Sequence, residues 1–112
     1  MTAKRKAPPK GLGQAGKRYW VAVVDRFDPE GHELEHLRLA AEALDVAELA
    51  TADIRVNGIT CLSRNGDVRP NPAVAAARDA RSSFARLVAL LRLPDVDGMP
   101  TRGVGRPGRR LA

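Results

Sequence analysis

The stretch Asn57-Gly58-Ile59-Thr60-Cys61-Leu62-Ser63-Arg64-Asn65-Gly66-Asp67-Val68-Arg69-Pro70-Asn71-Pro72 decides the fold. Asn65-Gly66 between two short β-prone runs is a strong local signal for a β-hairpin. It predicts a strand over Ile59 to Ser63 and a returning strand over Asp67 to Arg69. Asn57-Gly58, just upstream, reads as a left-handed cap that ends a helix. Asn71-Pro72, just downstream, reads as a cap followed by proline at the first helical position. A helix therefore enters the hairpin and another leaves it.

Working upstream, Leu34, Leu37, Ala41 and Leu44 recur at steps of three and four, so a helix is expected to run to about Arg55. Asp28-Pro29 supplies its expected start. Before it, Trp20, Val23, Val24 and Phe27 share one face of a helix over about Gln14 to Phe27. Downstream, Ala73, Ala77, Ala80, Phe84, Leu87 and Leu91 form the stripe of a third helix from Pro72 to about Leu93, stopped by Pro94. That helix is roughly 33 Å long at 1.5 Å per residue. The fold class expected is mainly α: a small helical hairpin bundle of three helices, with a short β-hairpin insert and flexible basic termini. Trp20, Phe27, Phe84, Leu87 and Leu91 are the candidate core or subunit-interface residues.

Composition narrows the function. The chain has 112 residues, 44% hydrophobic and 29% charged, with 4% aromatic residues, so alanine, leucine and valine must supply one modest core. The single Cys61 excludes an internal disulfide. It sits on an apolar strand and reads as a small core hydrophobe. No apolar run is long enough for a membrane span, and the basic start lacks the apolar segment of a signal peptide.

Charge is segregated along the chain. Residues 1–18 hold Lys4, Arg5, Lys6, Lys10, Lys17 and Arg18 with no acid, a net +6. Residues 19–93 carry nine arginines against eleven carboxylates, a net −2. Residues 94–112 carry Arg102, Arg106, Arg109 and Arg110 against Asp95 and Asp97, a net +2. Both ends are rich in Gly and Pro. The reading is a flexible basic arm over 1–18, a helical core over 19–93 and a flexible Arg/Gly-rich tail over 94–112. Basic arms on a small domain point to a polyanion, nucleic acid first among them. Those ten basic residues are the candidate DNA contacts. Within the core, the second helix is acidic (Glu30, Glu33, Glu35, Glu42, Asp45, Glu48, Asp53), whereas the third is basic (Arg78, Arg81, Arg86, Arg92).

Several motifs resemble chemistry. His32-Glu33-Leu34-Glu35-His36 matches H-E-x-x-H, in which two imidazoles four residues apart grip zinc. There is no further histidine, and Glu42 or Asp45 on the same helix could not close a tetrahedron. Gly11-Leu12-Gly13-Gln14-Ala15-Gly16 and Gly103-Val104-Gly105-Arg106-Pro107-Gly108 match G-x-G-x-x-G, but neither follows a predicted strand, as a dinucleotide fingerprint must. Both read as arm sequence. Ser82 and Ser83 have no candidate base. Tyr19 and Trp20 beside a basic arm could form a base-stacking platform, although their spacing favours core or subunit interface. Gly105-Arg106-Pro107 resembles a minor-groove hook, with Val104 where the hook has its leading arginine. The expectation is a protein with no catalytic constellation and no cofactor.

The ordered set of segments resembles a known family. Pro8-Pro9-Lys10-Gly11-Leu12-Gly13-Gln14-Ala15-Gly16-Lys17-Arg18-Tyr19-Trp20 is similar to the start of tailed-bacteriophage terminase small subunits, especially those of actinobacterial phages. Phe27 followed by His32-Glu33-Leu34 resembles the start of their second helix. Asn65-Gly66-Asp67-Val68-Arg69-Pro70-Asn71-Pro72-Ala73-Val74 resembles their turn and third-helix start. Arg86-Leu87-Val88-Ala89-Leu90-Leu91-Arg92-Leu93-Pro94-Asp95 resembles their end, before an Arg/Gly-rich tail. The likeness runs from about Pro8 to Arg110. It implies a non-catalytic DNA-packaging protein that recognises viral double-stranded DNA and assembles into a homo-oligomeric ring. It also implies recruitment of the terminase large subunit, which holds the ATPase and nuclease, in the cytoplasm of an infected bacterium. Two other classes share parts of the pattern: a small basic DNA-binding regulator or nucleoid-type protein, and a helical adaptor.

With only two histidines and no third ligand, purified protein should hold no stoichiometric zinc. Elemental analysis that found one tightly bound zinc per chain, with loss of helicity on chelation, would reverse this reading.

Overall fold

A computed structural model of the chain describes residues 6–93. It is mainly helical, with three helices and one two-stranded antiparallel hairpin. The order is α1 (Gln14–Phe27), α2 (His32–Asn57), β1 (Thr60–Leu62), β2 (Val68–Pro70) and α3 (Pro72–Leu91). Among the described residues no helix is long and apolar enough to cross a membrane. The sequence expectations at Lys4, Arg5, Pro94, Arg102, Arg106, Arg109 and Arg110 lie outside the described residues.

The central element is α2, which packs along α3 and against α1. Two kinds of packing hold this arrangement. At one end Leu12, Trp20, Val23, Val24, Leu37, Ala41 and Leu91 form a buried cluster, with Tyr19, Phe27, Leu34 and Leu93 packed against it. The Tyr19 and Phe84 rings meet edge to face with centroids 5.1 Å apart, so α1 also touches α3. Towards the hairpin the buried side chains are alanines, Ala47 and Ala50 on α2 and Ala77 and Ala80 on α3. Small side chains bring two helix axes close together, at the near end of the usual spacing of about 8–10 Å.

The α1–α2 connection differs from the expected one. Asp28 does not begin α2. It is the C-cap of α1, in the left-handed region at φ 47°. Aspartate tolerates that conformation better than most residues, and it lets the chain reverse at once. Pro29 is buried in the bend, and α2 starts only at His32, after Gly31 at φ 59°. Glu33 reaches back to accept the Glu30 amide at 3.1 Å, just ahead of the helix start.

At its other end α2 continues to Asn57, and Gly58 closes it by donating to the Ile54 carbonyl at 2.7 Å. Gly58 has φ 83° but ψ −177°, so the cap is not the left-handed helical one expected. The extended ψ sends the chain straight into β1. Strand pairing is Thr60↔Pro70, Cys61↔Arg69 and Leu62↔Val68, one residue inside the expected bounds of β1 and one residue later for β2. Asn65-Gly66 does make the turn, but within a three-residue loop. The Ser63 amide donates to the Asp67 carbonyl at 2.8 Å, the Gly66 amide donates to the Ser63 carbonyl at 2.9 Å, and only Gly66 takes positive φ. Every strand residue is exposed, Cys61 included, so the expectation of a buried cysteine is corrected. Its strand belongs to a ribbon with nothing packed over it among the described residues.

Asn71 joins the three parts. Its Oδ1 accepts the Ala73 amide at 3.0 Å and caps α3, while its Nδ2 donates to the Gly58 carbonyl at 2.8 Å. Its own amide donates to the Ile59 carbonyl at 2.8 Å. Asn71 is the one buried polar side chain among the described residues, and both ends of its amide are satisfied. At the far end α3 stops at Leu91, with Arg92 left-handed at φ 52°. The residue preceding a proline avoids helical geometry, so Leu93 before Pro94 cannot extend the helix as far as expected.

Replacing Asn71 with alanine removes both the cap and the tie to Gly58, and should cost about 2 kcal/mol in urea denaturation. Asn71→Asp keeps the cap acceptor but loses the donor, so it should fall between the two. An Asn71→Asp variant as stable as the parent would mean that the Gly58 contact contributes nothing, and equal losses for the two variants would mean that the cap contributes nothing.

Candidate nucleic-acid interface

The basic N-terminal segment is anchored to the fold, not free of it, from Lys6 onwards. The buried Trp20 indole Nε1 donates to the Lys6 carbonyl at 3.0 Å, and Lys6 Nζ pairs with Asp28 at 2.7 Å. Leu12 is buried in the core cluster. Trp20 is therefore committed to the core and to this backbone contact, and offers no face for base stacking.

The glycine motif that opens α1 has a specific use. Gly13 and Gly16 both direct their amides at Asp45 of α2, each at 2.7 Å, one to each carboxylate oxygen. The carboxylate thus occupies the position that a phosphate takes at the N-terminus of a helix, where unpaired amides and the helix dipole favour negative charge. A Cβ on Gly16 would lie 2.5 Å from Asp45 Oδ2 and 2.8 Å from the Ala41 carbonyl oxygen. A Cβ on Gly13 would lie 3.0 Å from Asp45 Oδ1. The motif is an anion cradle whose anion is internal. Sequence reasoning set it aside as arm sequence. The signal available was a glycine pair flanking a helix start that lacked any capping side chain of its own.

Of the expected DNA contacts among the described residues, Lys10, Lys17 and Arg18 are exposed around the start of α1. Arg18 borders a cleft that also holds Asp45, Glu48 and Leu49. A second exposed basic set lies elsewhere: Arg64 and Arg69 on the hairpin, and Arg78, Arg81 and Arg86 on α3. The acids of α2 do not pair with α3 among the described residues. Glu35 and Glu42 both bind Arg38 of their own helix, the latter at 2.6 Å. The hydrogen bond from Arg38, aided by its charge, holds the Glu35 carboxyl below its ordinary pKa. Asp45 is turned towards α1. The link across the hairpin is neutral at one end, with Arg81 Nη2 donating to Thr51 Oγ1 at 2.8 Å.

Trp20 and Leu91 are core residues, Phe27 packs half-buried against that core, and Phe84 and Leu87 are half-buried. His32 and His36 stack edge to face with centroids 5.8 Å apart. No group of three or more His, Cys, Asp or Glu among the described residues could hold a metal. Comparisons of the chain with protein-family models, with curated proteins and with solved structures give no match.

Gly16→Ala should destabilise the fold by about 2 kcal/mol, because backbone and carboxylate crowd the new methyl from two sides. Asp45→Asn should cost about 1 kcal/mol through loss of charge at the helix start. Thermal unfolding of both variants checks the cradle; a neutral Gly16→Ala would show that α1 can shift away from α2.

Proposed function

We propose that the chain is the small subunit of a tailed-phage terminase, a non-catalytic, DNA-recognising component of a genome-packaging motor. In this reading it binds viral double-stranded DNA, self-assembles and recruits the large ATPase and nuclease subunit in the infected cell. The observation that carries the DNA-binding part is the segregation of positive charge to the two ends of the chain around a mildly acidic core. The order of motifs from Pro8 to Arg110, which resembles that family, supports the packaging role. A DNA-binding regulator would share the basic ends but would have no large-subunit partner, so copurification with the large terminase subunit discriminates between the two.

The anchoring of residues 6–18 determines how DNA binding must be tested. Deleting the whole segment would remove Leu12, the Lys6 carbonyl and the Asp45 cradle along with the charges. Replacing Lys4, Arg5, Lys10, Lys17 and Arg18 with glutamine removes charge and leaves those contacts in place. If those five neutralise phosphates, log affinity should fall against log salt with a slope of about −4.5 for the parent, and most of that slope should vanish in the variant. Replacing Arg102, Arg106, Arg109 and Arg110 should cost less. An unchanged slope in the N-terminal variant would transfer the DNA contact to Arg78, Arg81 and Arg86.

A further inference from the structure

The outer face of α2 carries a second apolar seam that the fold leaves uncovered. Glu35, Leu39, Glu42, Val46, Leu49, Asp53 and Val56 follow one another at alternating steps of four and three, the spacing of a helix-packing seam. They flank the face packed on α3, and exposure of the apolar members is 37% for Leu39, 46% for Val46, 72% for Leu49 and 82% for Val56. An apolar stripe of this length on a small domain marks a contact surface.

The outer face of α3 is its complement. Ala75, Arg78, Ser82, Ala85 and Ala89 also follow at alternating steps of three and four, and Arg81 and Arg86 flank them. All but the half-buried Ala75 are exposed. One face offers leucine and valine knobs with acids between them. The other offers recesses over small side chains, with arginines between them.

We propose that the α2 outer seam of one copy docks on the α3 outer face of a second copy of this chain. The heights agree. The Arg81–Thr51 hydrogen bond joins residue 81 to residue 51 across the antiparallel pair and serves as the reference register. Counting from it, neighbours standing side by side place Val56 against Ala75, Asp53 against Arg78, Leu49 against Ser82 and Val46 against Ala85. Each pairing lies within one residue of that reference register. Knobs meet small residues and the acid meets the base.

The two faces lie on different helices of the same chain, so the contact is heterologous. Each copy covers one neighbour and is covered by another, a repeat that gives a closed ring when the rotation closes. This deepens the self-assembly part of the proposed function by assigning its surfaces, and it stands or falls without DNA.

The test is assembly mass by sedimentation or light scattering at micromolar protein, without DNA, with helicity followed by circular dichroism. Leu49→Asp and Ala85→Leu change exposed positions, so each chain keeps its fold, and each should weaken assembly about tenfold or more. Asp53→Arg and Arg78→Asp should each do the same by placing like charges together. The double variant Asp53→Arg/Arg78→Asp restores opposite charges at every contact and should recover the parent mass. A monomeric parent, unchanged masses in the single variants, or a double variant no better than the singles would each overturn the assignment. A parent that assembles through these faces yet binds no DNA would instead refute the packaging reading and leave this one standing.

Discussion

The Asp45 carboxylate, shared between the amides of Gly13 and Gly16, is the interaction on which the arrangement of α1 depends. A short helix beginning at Gln14 has no capping side chain, and its first amides would otherwise need water or a ligand. Asp45 satisfies two of them from another helix, and in doing so it fixes where α1 starts along α2. That position brings Trp20, Val23 and Val24 over Leu37 and Ala41 and closes the only cluster of large buried side chains described. Gly16 is required because the carboxylate and the Ala41 carbonyl oxygen stand where a side chain would be, and a Cβ on Gly13 would press on the carboxylate.

The two halves of the α2–α3 pair are stabilised differently, and this follows from where the large residues lie. Beside α1, leucine, valine and tryptophan bury apolar area. Beyond it, the two helices meet through alanines, which bury little area each and rely on close approach. The β-hairpin adds no buried side chains to that end, and a two-stranded ribbon is marginal alone. Asn71 compensates locally by tying the last carbonyl region of α2, the first residue of the hairpin and the first turn of α3 to one side chain.

Much of the fold was legible in local signals. The first helix ran between the expected residues, and Asn65-Gly66 and Asn71-Pro72 each did what their chemistry suggests, because hairpin turns and helix caps are decided within four or five residues. The failures share a cause: tertiary contacts. Asp28-Pro29 looks like a helix start in isolation, yet the reversal between α1 and α2 needed a left-handed residue there. Cys61 looked buried because its neighbours are apolar, whereas the ribbon carries those apolar groups in the open. The site was less legible than the fold. Charge counting located the basic ends, but nothing local to residues 6–18 indicates that a carboxylate about thirty positions away and an indole hold that segment in place.

The contact between Trp20 and Lys6 is made to a backbone carbonyl, an atom common to every amino acid. At Lys6 the path of the segment past α1 rests on a backbone atom as well as on side chains such as Leu12. Lys6 could become another residue, and the indole would still find its acceptor. A lineage under pressure to alter the number or spacing of charges in this region could do so by substitution at exposed positions while the route of the chain stayed the same. Geometry and electrostatic content are separately heritable at the exposed positions of this segment.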